Sequence, residues 1–214
     1  MNFEHIKQTP EPTLRRLPRY LHFLIDLKTK GVQEVSSTII ANELGLDPVQ
    51  VRKDIEYSSI IGKPRTGYHI DELIKALSKF LSWDTVQKAF LAGAGNLGSA
   101  MLGYKNFINY GLHIIAAFDK DPNKINTIIY DIPVYDINEL TNMAKAKDVE
   151  IGIITVRANA AQDVANRMVD GGIKAIWNFA PVHIKVPKEV IVENAQLSIG
   201  LSFLKRKMFE RNLL

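Results

Sequence analysis

A glycine-rich turn between two apolar segments constrains the fold of this chain most strongly. The run GAGNLG at residues 93–98 has the spacing G-x-G-x-x-G and follows the apolar segment Val86–Ala92. A helical stretch, Ser99–Phe107, comes next, and a second apolar run, Leu112–Phe118, ends at Asp119. Strand, glycine turn, helix and strand in this order are typical of the unit that opens a Rossmann sheet.

Each part of this unit has a physical role in binding a dinucleotide. Gly93 permits the tight turn, Gly95 lets a pyrophosphate approach the backbone, and Gly98 lets the helix pack closely on the strand. The start of the helix offers free N–H groups and partial positive charge to the phosphates. Asp119 lies 21 residues after Gly98, where a carboxylate accepts hydrogen bonds from ribose hydroxyls and repels a 2′-phosphate. The pattern predicts NAD(H) as the ligand, with another nucleotide such as coenzyme A as the alternative.

Later apolar runs extend the predicted sheet. Val149–Val156 and Ile173–Phe179 have the length of strands, and the helical stretch Asn159–Val169 lies between them. Ligands of such sheets bind at the carboxyl ends of the strands. The candidates for the nicotinamide side are the residues at two of these ends: Thr155, Val156, Arg157, Asn178, Phe179 and Ala180. Simple core packing of Phe179 and of the neighbouring Trp177, and a solvated loop position for Arg157, are the alternatives.

The first half of the chain has the pattern of a small helical domain. Leu14, Leu17, Leu21 and Leu24 are spaced by three and four residues, which predicts one apolar face of a helix. A second, short helix is predicted within residues 36–45. Ser36 or Ser37 is its N-cap, and Gly45 ends it.

A third predicted helix follows after a tight turn. Asp47 is a suitable N-cap, Pro48 suits the first helical position, and Gln50 completes a capping box. Val51 and Ile55 form its buried stripe. A hairpin with a basic tip, residues 62–70, comes next, so the order of elements is that of a winged helix-turn-helix.

This arrangement predicts contacts with DNA. Residues near the start of a recognition helix reach base edges in the major groove, so Gln50 would read adenine, Arg52 guanine, and Lys53 a phosphate. Lys63 and Arg65 of the hairpin would lie near the adjacent backbone or minor groove. The first helix adds further cations: Arg15, Arg16 and Arg19. A protein-interaction module without DNA is the alternative, because residues 1–84 contain 12 lysines and arginines against 11 acidic residues, a net charge of only +1.

The sequence offers no visible catalytic machinery. It has no cysteine, its five histidines are scattered, and no tyrosine precedes a lysine by four residues. We therefore expect no metal, no catalytic residue and no enzyme activity: the cofactor is sensed and not turned over. A small NAD-dependent oxidoreductase with a helical appendage is the competing interpretation. The sequence shows no signal-type segment and no apolar run of membrane-spanning length, so we expect a cytoplasmic protein.

The C-terminal stretch Leu201–Leu214 has the pattern of an amphipathic helix. Its apolar face would pack on its own domain or on a second subunit. The chain is thus expected to have α/β architecture in three segments. These are a winged helix-turn-helix domain at residues 1–84, a doubly wound parallel Rossmann domain that begins at residue 85, and the C-terminal helix.

Several separate segments resemble one known family. In chain order they are SSTIIANELG, QVRKDIEY, GAGNLGSA, FDKDPNKI, GGIKAIWNFAP and VPKEVIVEN. Together they resemble the bacterial redox-sensing transcriptional repressor Rex over nearly the whole chain. The resemblance implies a homodimer with a domain-swapped C-terminal dimerisation helix at residues 198–214, so that the Rossmann domain spans residues 85–197. It also implies repression of fermentative and respiratory genes through a palindromic operator, release from DNA by NADH, and competition by NAD⁺.

The resemblance also implies which residues carry these roles. The DNA-binding set, combined with the pattern above, is Arg15, Arg16, Ser36, Gln50, Arg52, Lys53, Lys63, Arg65 and Tyr68. The cofactor-binding set is Gly93, Ala94, Gly95, Asn96, Leu97, Gly98, Tyr104, Asp119, Lys120, Thr155, Val156, Asn178 and Phe179. Tyr104, Asn178 and Phe179 are expected on the nicotinamide side.

Two features depart from the family pattern. Members often pair a first-helix arginine with an acid just after the VEN segment, and the corresponding positions here are His22 and Gln196. The family hairpin is richer in glycine than residues 58–67 of this chain. The first departure concerns the linkage between the cofactor and DNA domains, and the second concerns operator preference or affinity.

Overall fold

The computed structural model describes residues 9–64 and 66–213. They form two compact units, the first ending at Thr85 and the second beginning at Val86. We refer to these as the N-terminal and C-terminal units. No helix in the described part of the chain is both long enough and apolar enough to cross a membrane.

Within residues 9–64 and 66–85, the N-terminal unit has four helices and a two-stranded antiparallel sheet. In chain order its elements are α1 (Glu11–Thr29), β1 (Glu34–Val35), α2 (Ser37–Leu44), α3 (Pro48–Glu56), β2 (Tyr68–His69) and α4 (Ile70–Phe80). Strands β1 and β2 pair through Glu34 with His69 and Val35 with Tyr68. A backbone bridge between Lys63 and Gly67 closes the loop that precedes β2.

The predicted helix boundaries in this unit follow from their caps. Ser36 Oγ accepts a hydrogen bond from the Ile39 N–H at 3.2 Å, and Gly45 ends α2 in the left-handed region at φ +65°. Asp47 Oδ1 accepts from the N–H groups of Val49 and Gln50 at 2.8 and 3.0 Å. These caps confirm the tight turn between α2 and α3.

Two details of the predicted packing are wrong. Leu14 was expected on the buried face of α1, but it is 42% exposed, because Thr13 holds the inward position of that turn. The second half of the capping box is not formed, because the Gln50 side chain bonds Asp54 instead of reaching back to Asp47. Leu17, Leu21 and Leu24 are buried as predicted.

The C-terminal unit is built on a seven-stranded sheet. Its strands are β3 (Gln87–Ala92), β4 (Leu112–Asp119), β5 (Ile128–Ile129), β6 (Ile132–Asp136), β7 (Ile151–Ile154), β8 (Ala175–Asn178) and β9 (Ile191–Asn194). Their spatial order is β5-β6-β4-β3-β7-β8-β9. All neighbours are parallel except the β5–β6 hairpin. This is the doubly wound topology expected from the sequence.

Helices cover both faces of this sheet. They are α5 (Asn96–Leu102), α6 (Leu140–Lys147) and α7 (Ala158–Asp170). Phe90, Phe118 and Ile154 pack with residues of α6 and α7 on one face. Leu91 and Ile153 pack with residues of α5 on the other.

The helical stretch predicted over Ser99–Phe107 is interrupted. Helix α5 ends at Leu102, and a separate 3₁₀ segment spans Lys105–Tyr110. Gly103 lies at the break, and a Cβ atom there would approach the Tyr130 ring to 2.9 Å. Close packing against this ring, together with the low helix propensity of glycine, accounts for the break.

The last helix, α8 (Leu197–Glu210), presents large apolar side chains to solvent. Phe203, Leu204 and Phe209 are 66%, 56% and 61% exposed in the single chain. A helix with so much exposed apolar surface is typical of an interface with another molecule.

Candidate functional site

The glycine loop between β3 and α5 has three glycines, and the structure requires glycine at two of these positions. Gly93 has φ +104°, and a Cβ there would lie 2.9 Å from the backbone of Thr155 and Val156. A Cβ on Gly98 would overlap the carbonyl oxygen of Gly93. A Cβ on Gly95, in contrast, would meet nothing within 4 Å. The packing of the protein itself requires glycine at positions 93 and 98, whereas no protein atom requires it at position 95, which borders open space.

Asp119 lies beside this loop at the carboxyl end of β4. Its Oδ2 accepts a hydrogen bond from the Ala94 N–H at 2.8 Å, and Lys124 Nζ is 3.5 Å from the same atom. Its Oδ1 accepts from the N–H groups of Lys120 and Asp121 at 2.8 and 3.0 Å. The structure therefore brings the acidic residue against the glycine loop, where a ribose of a nucleotide held by the loop would lie.

Two residues at the end of β7 support the loop from the protein side. Thr155 Oγ1 donates to the carbonyl oxygens of Gly93 at 2.8 Å or Ala92 at 3.1 Å. The Val156 side chain contacts the Gly93 position. Both were predicted to face the nicotinamide, and the contacts in the structure give them a role in holding the loop. Among the remaining loop residues, Asn96 and Leu97 are exposed, as is Lys120.

Asn178, at the end of β8, is held by hydrogen bonds within the protein. Its Nδ2 donates to the Val182 carbonyl oxygen at 2.8 Å and to Asn194 Oδ1 at 2.9 Å, and its Oδ1 accepts from the Ala180 N–H at 3.0 Å. The side chain is 1% exposed. Asn178 therefore fixes the turn that follows β8 and joins it to β9.

A row of aromatic rings extends from this strand end. The ring centroids of Phe179 and Trp177 are 4.7 Å apart, those of Trp177 and Phe107 are 6.0 Å apart, and those of Phe107 and Tyr104 are 4.9 Å apart. A hydrogen bond with Tyr104 raises the pKa of Tyr110. The row connects Phe179 with Tyr104, two residues predicted on the nicotinamide side, through Trp177, for which core packing was expected. Tyr104 is 45% exposed.

The N-terminal unit contains a buried carboxylate that the sequence analysis did not single out. Asp54, on the inner side of α3, is 0% exposed. It accepts hydrogen bonds from Thr13 Oγ1 at 2.9 Å, Tyr20 Oη at 2.6 Å and Gln50 Nε2 at 2.9 Å. The Arg16 guanidinium reaches both carboxylate oxygens, at 2.6 and 2.9 Å. We call these five residues the Asp54 network.

The Asp54 network stabilises the charged forms of Asp54 and Arg16, where α1 packs against α3. Burial alone would raise the pKa of Asp54, but hydrogen bonds from the four donors outweigh it and lower the pKa. The pKa of Arg16 is raised in return, chiefly by its hydrogen bond to Asp54. Arg16 is one of the residues predicted to contact DNA, and the structure places its guanidinium in this network.

The outward face of α3 carries different residues. Val49 is 54% exposed, and Arg52 and Lys53 are exposed. Gln50 is half-buried at the edge of this face, with its amide bonded to Asp54. The sequence did not predict Val49 on this face, because its side chain is apolar and the face is polar. Its exposure in the first turn of α3 makes it a further candidate for contact with DNA.

An open groove of about 600 Å³ adjoins α3 on the side of the hairpin. It is lined by the first residues of α2, one side of α3 and the hairpin: Ser36, Ser37, Thr38, Arg52, Glu56, Ile60, Ile61, Gly62, Lys63, Pro64, Gly67 and Tyr68. Four residues predicted to bind DNA, Ser36, Arg52, Lys63 and Tyr68, thus meet at one groove. Tyr68 is 7% exposed, and burial raises its pKa.

Among the described residues, the other predicted DNA contacts do not line this groove. Arg15 is exposed on α1 and forms an ion pair with Glu11 at 2.8 Å. Arg19 donates to the Leu44 carbonyl oxygen at 3.3 Å. Arg65 lies outside the described residues. No group of three or more potential metal ligands occurs within residues 9–64 and 66–213.

Comparison with known proteins finds a family model that matches part of each unit. The family model described as "Putative DNA-binding protein N-terminus" matches residues 8–56, and the one described as "CoA binding domain" matches residues 84–182. The redox-sensing transcriptional repressor Rex of Treponema denticola is 47% identical over 193 residues, which are 90% of this chain and 92% of the relative. This chain belongs to the Rex family. Rex of Bacteroides thetaiotaomicron is 43% identical over 94% of this chain and 91% of the relative.

Solved Rex structures agree with the fold of both units. The crystal structure of RSP in complex with β-NAD⁺ and operator DNA is 34% identical, with a TM-score of 0.90 over 97% of this chain and 95% of RSP. RSP, a Rex-family repressor, in complex with β-NADH matches with a TM-score of 0.88 over 97% of each chain. The two-domain fold class predicted from the sequence is confirmed.

Proposed function

We propose that this chain is a Rex repressor that binds operator DNA as a homodimer and leaves it when NADH binds the C-terminal unit. The observation that carries the proposal is the open space at Gly95 beside Asp119, in a chain whose other unit holds a capped helix-turn-helix. The likeness to RSP, crystallised with operator DNA and with β-NADH, supports both halves of the function.

Different residues at the glycine loop bind different parts of the dinucleotide. Backbone N–H groups at the start of α5 meet the pyrophosphate, since the first N–H groups of a helix have no partner within it. Asp119 binds the adenosine ribose, and its charge disfavours a 2′-phosphate. Thr155 keeps the loop in shape through Gly93. The bound NADH supplies an uncharged dihydronicotinamide.

The aromatic row gives a reason for preferring the reduced dinucleotide. Tyr104, Phe107, Trp177 and Phe179 form a continuous row of aromatic rings. Such a surface accepts a neutral ring more readily than a ring with a positive charge, because a buried charge without a partner is costly. NADH therefore binds more tightly than NAD⁺.

On DNA, α3 enters the major groove with its outward face. Lys53 binds a phosphate, Arg52 reaches guanine or a phosphate beside the groove, and Val49 contacts a thymine methyl group. Lys63 follows the backbone next to the major groove. Helix α8 packs on the second subunit, which covers its exposed apolar side chains.

The domain boundaries stay as proposed from the sequence: residues 1–84 bind DNA, residues 85–197 bind the dinucleotide, and residues 198–214 hold the dimer. The family relatives are named as regulators, so we assign the chain to that class and not to the enzymes. A repressor of this kind acts in the cytoplasm.

The decisive experiment measures fluorescence anisotropy of a labelled palindromic promoter fragment with the purified full chain. We expect binding to the DNA, release by NADH, and competition with NADH by NAD⁺. DNA binding that NADH leaves unchanged would contradict the proposed switch. Coenzyme A is the essential control, because the CoA binding domain model matches residues 84–182; release by coenzyme A but not by NADH would replace the dinucleotide with that ligand.

Substitution of Asp119 by alanine tests the ribose assignment. We expect NADH affinity to fall by roughly 10- to 100-fold, because hydrogen bonds to a charged group contribute about 1.5–3 kcal/mol. Operator binding in the absence of NADH should persist, since Asp119 lies in the C-terminal unit. Titration calorimetry with NADH, next to the anisotropy assay, measures both. An unchanged NADH affinity would remove Asp119 from the site.

A further inference from the structure

Asp54 leaves the side-chain amide of Gln50 only one orientation. An ionised carboxylate accepts hydrogen bonds and has no proton to donate. The Arg16 guanidinium, with Nε 2.6 Å from Oδ2, keeps Asp54 in that ionised form. The Gln50 atom that lies 2.9 Å from Asp54 Oδ1 is therefore Nε2, a donor. A flip of the amide would bring Oε1 against the carboxylate and leave two acceptors facing each other.

The carboxylate itself has no freedom to release the amide. Thr13 and Arg16 bind the same oxygen as Gln50, and Tyr20 and Arg16 bind the other. These donors come from α1, so rotation of Asp54 would break several hydrogen bonds in a fully buried position. The orientation of Gln50 is thus fixed by a neighbouring helix.

The fixed amide lies where DNA would be read. Gln50 is at the third position of α3, in the first turn of the helix that follows the tight turn, and its side chain is half-buried. Among residues 9–64 and 66–213, Asp54 is the one side-chain hydrogen-bond partner of Gln50. The other amide atom, Oε1, is accessible rather than buried without a partner. Oε1 is therefore the polar atom that Gln50 presents outward.

We propose that Asp54 is a positioning residue that makes Gln50 a reader of exocyclic amines, adenine N6 or cytosine N4, at one base pair of each half-site. These amines are the donors of the major groove, whereas guanine O6 and N7 and thymine O4 are acceptors. A glutamine that is free to flip its amide can hydrogen-bond either a donor or an acceptor on a base. The Asp54 network prevents the flip, so acceptor bases are rejected. The inference rests on the proposed function, because it assumes that α3 reads DNA.

The first test is a panel of operator fragments in which every base pair of a half-site is replaced in turn. Each fragment is titrated with the wild-type chain and with Gln50→Met, which keeps the length of the side chain and removes its hydrogen bonding. We expect Gln50→Met to relax specificity at one position, at which the wild type binds roughly tenfold more tightly to adenine or cytosine than to guanine or thymine.

The second test removes only the amine. Purine in place of adenine, or 2-pyrimidinone in place of cytosine, deletes the donor and keeps the rest of the base. We expect the wild type to lose about tenfold in affinity and Gln50→Met to lose none. The same experiment identifies which of the two bases is read.

Three further variants separate positioning from general weakening. Asp54→Asn should reduce the preference at the Gln50 position, because a neutral amide accepts either orientation of Gln50. Thr13→Val removes a different hydrogen bond to Asp54 and should leave the preference unchanged. Lys53→Ala should weaken all fragments alike and reduce the salt dependence of binding. If Asp54→Asn does not fold, the amine-deletion test decides.

Two kinds of outcome overturn the proposal. The first is that the wild type prefers guanine or thymine at the position where Gln50→Met loses specificity. The second is that Gln50→Met loses specificity at no position, or that deletion of the amine leaves the affinity of the wild type unchanged. A wild-type chain that binds no palindromic fragment contradicts the proposed function instead. The two failures are therefore distinguishable.

Discussion

Replacement of Asp54 by asparagine is expected to lower the stability of the N-terminal unit by about 3–5 kcal/mol, the usual cost of removing one partner of a buried ion pair. Asparagine has nearly the same shape, so the loss comes from charge and hydrogen bonding. Arg16, whose side chain is only 19% exposed, would remain without its counter-ion. Tyr20 and Thr13 would compete for a single acceptor oxygen. Urea denaturation of the full chain, followed by fluorescence of Trp83, which packs against the core of this unit, measures the change.

Thr13→Val is the matched control for this variant. It removes one neutral donor from the network and should cost about 1 kcal/mol, the typical net value of one hydrogen bond. Equal losses in the two variants would mean that the ion pair with Arg16 contributes no more than a single hydroxyl. That result would contradict the structural role assigned to Asp54.

The effect of Asp54→Asn should depend on pH in a defined direction. The pKa of Asp54 is lowered in the folded chain from its ordinary value of 3.8, because its four donors outweigh burial. Its ionised form therefore contributes stability above pH 3.8, and this contribution disappears as the pH falls below that value. The stability difference between the wild type and Asp54→Asn should be full at neutral pH and shrink below about pH 4. An unchanged difference in acid would show that the carboxylate is not the source of the stability.

The Asp54 network illustrates what sequence reading leaves out. The caps of α2 and α3 depend on residues within three positions of each other, so Ser36, Gly45 and Asp47 could be recognised from the sequence. The partners of Asp54 on α1, in contrast, are 34 to 41 residues away. No local pattern distinguishes a buried acid with distant donors from an acid on a solvated face.

The same limit applies to the C-terminal unit. The strands with long apolar runs, β3 and β4, and the glycine turn between them were predictable. The two-residue strand β5 and the half-exposed strand β9 were not, because neither has a continuous apolar run. Asn178 was expected beside the ligand because it ends a strand. Its hydrogen bond to Asn194 depends on the pairing of β8 with β9, which the sequence did not reveal.

Two glycine-to-alanine substitutions in the glycine loop should differ in their effect on the stability of the C-terminal unit. Gly98→Ala places a methyl group into the Gly93 carbonyl oxygen, so the turn and α5 must move apart. We expect a loss of about 1–3 kcal/mol or more in the stability of the C-terminal unit, together with loss of measurable NADH binding. Denaturation followed by Trp177 fluorescence, and calorimetric titration with NADH, measure the two effects.

Gly95→Ala is the control that separates packing from ligand binding. Its backbone, at φ −76° and ψ −166°, is open to alanine, and the added methyl group meets no protein atom within 4 Å. Stability should therefore change by less than about 1 kcal/mol, the usual cost of alanine at an N-cap. NADH affinity should still fall by about tenfold or more, because the methyl group enters the space through which the phosphates approach the backbone. If Gly95→Ala bound NADH as the wild type does, the ligand would not lie over the loop, and the site would have to be sought at another strand end. If it lost stability as Gly98→Ala does, the open space at Gly95 would be filled by the protein itself.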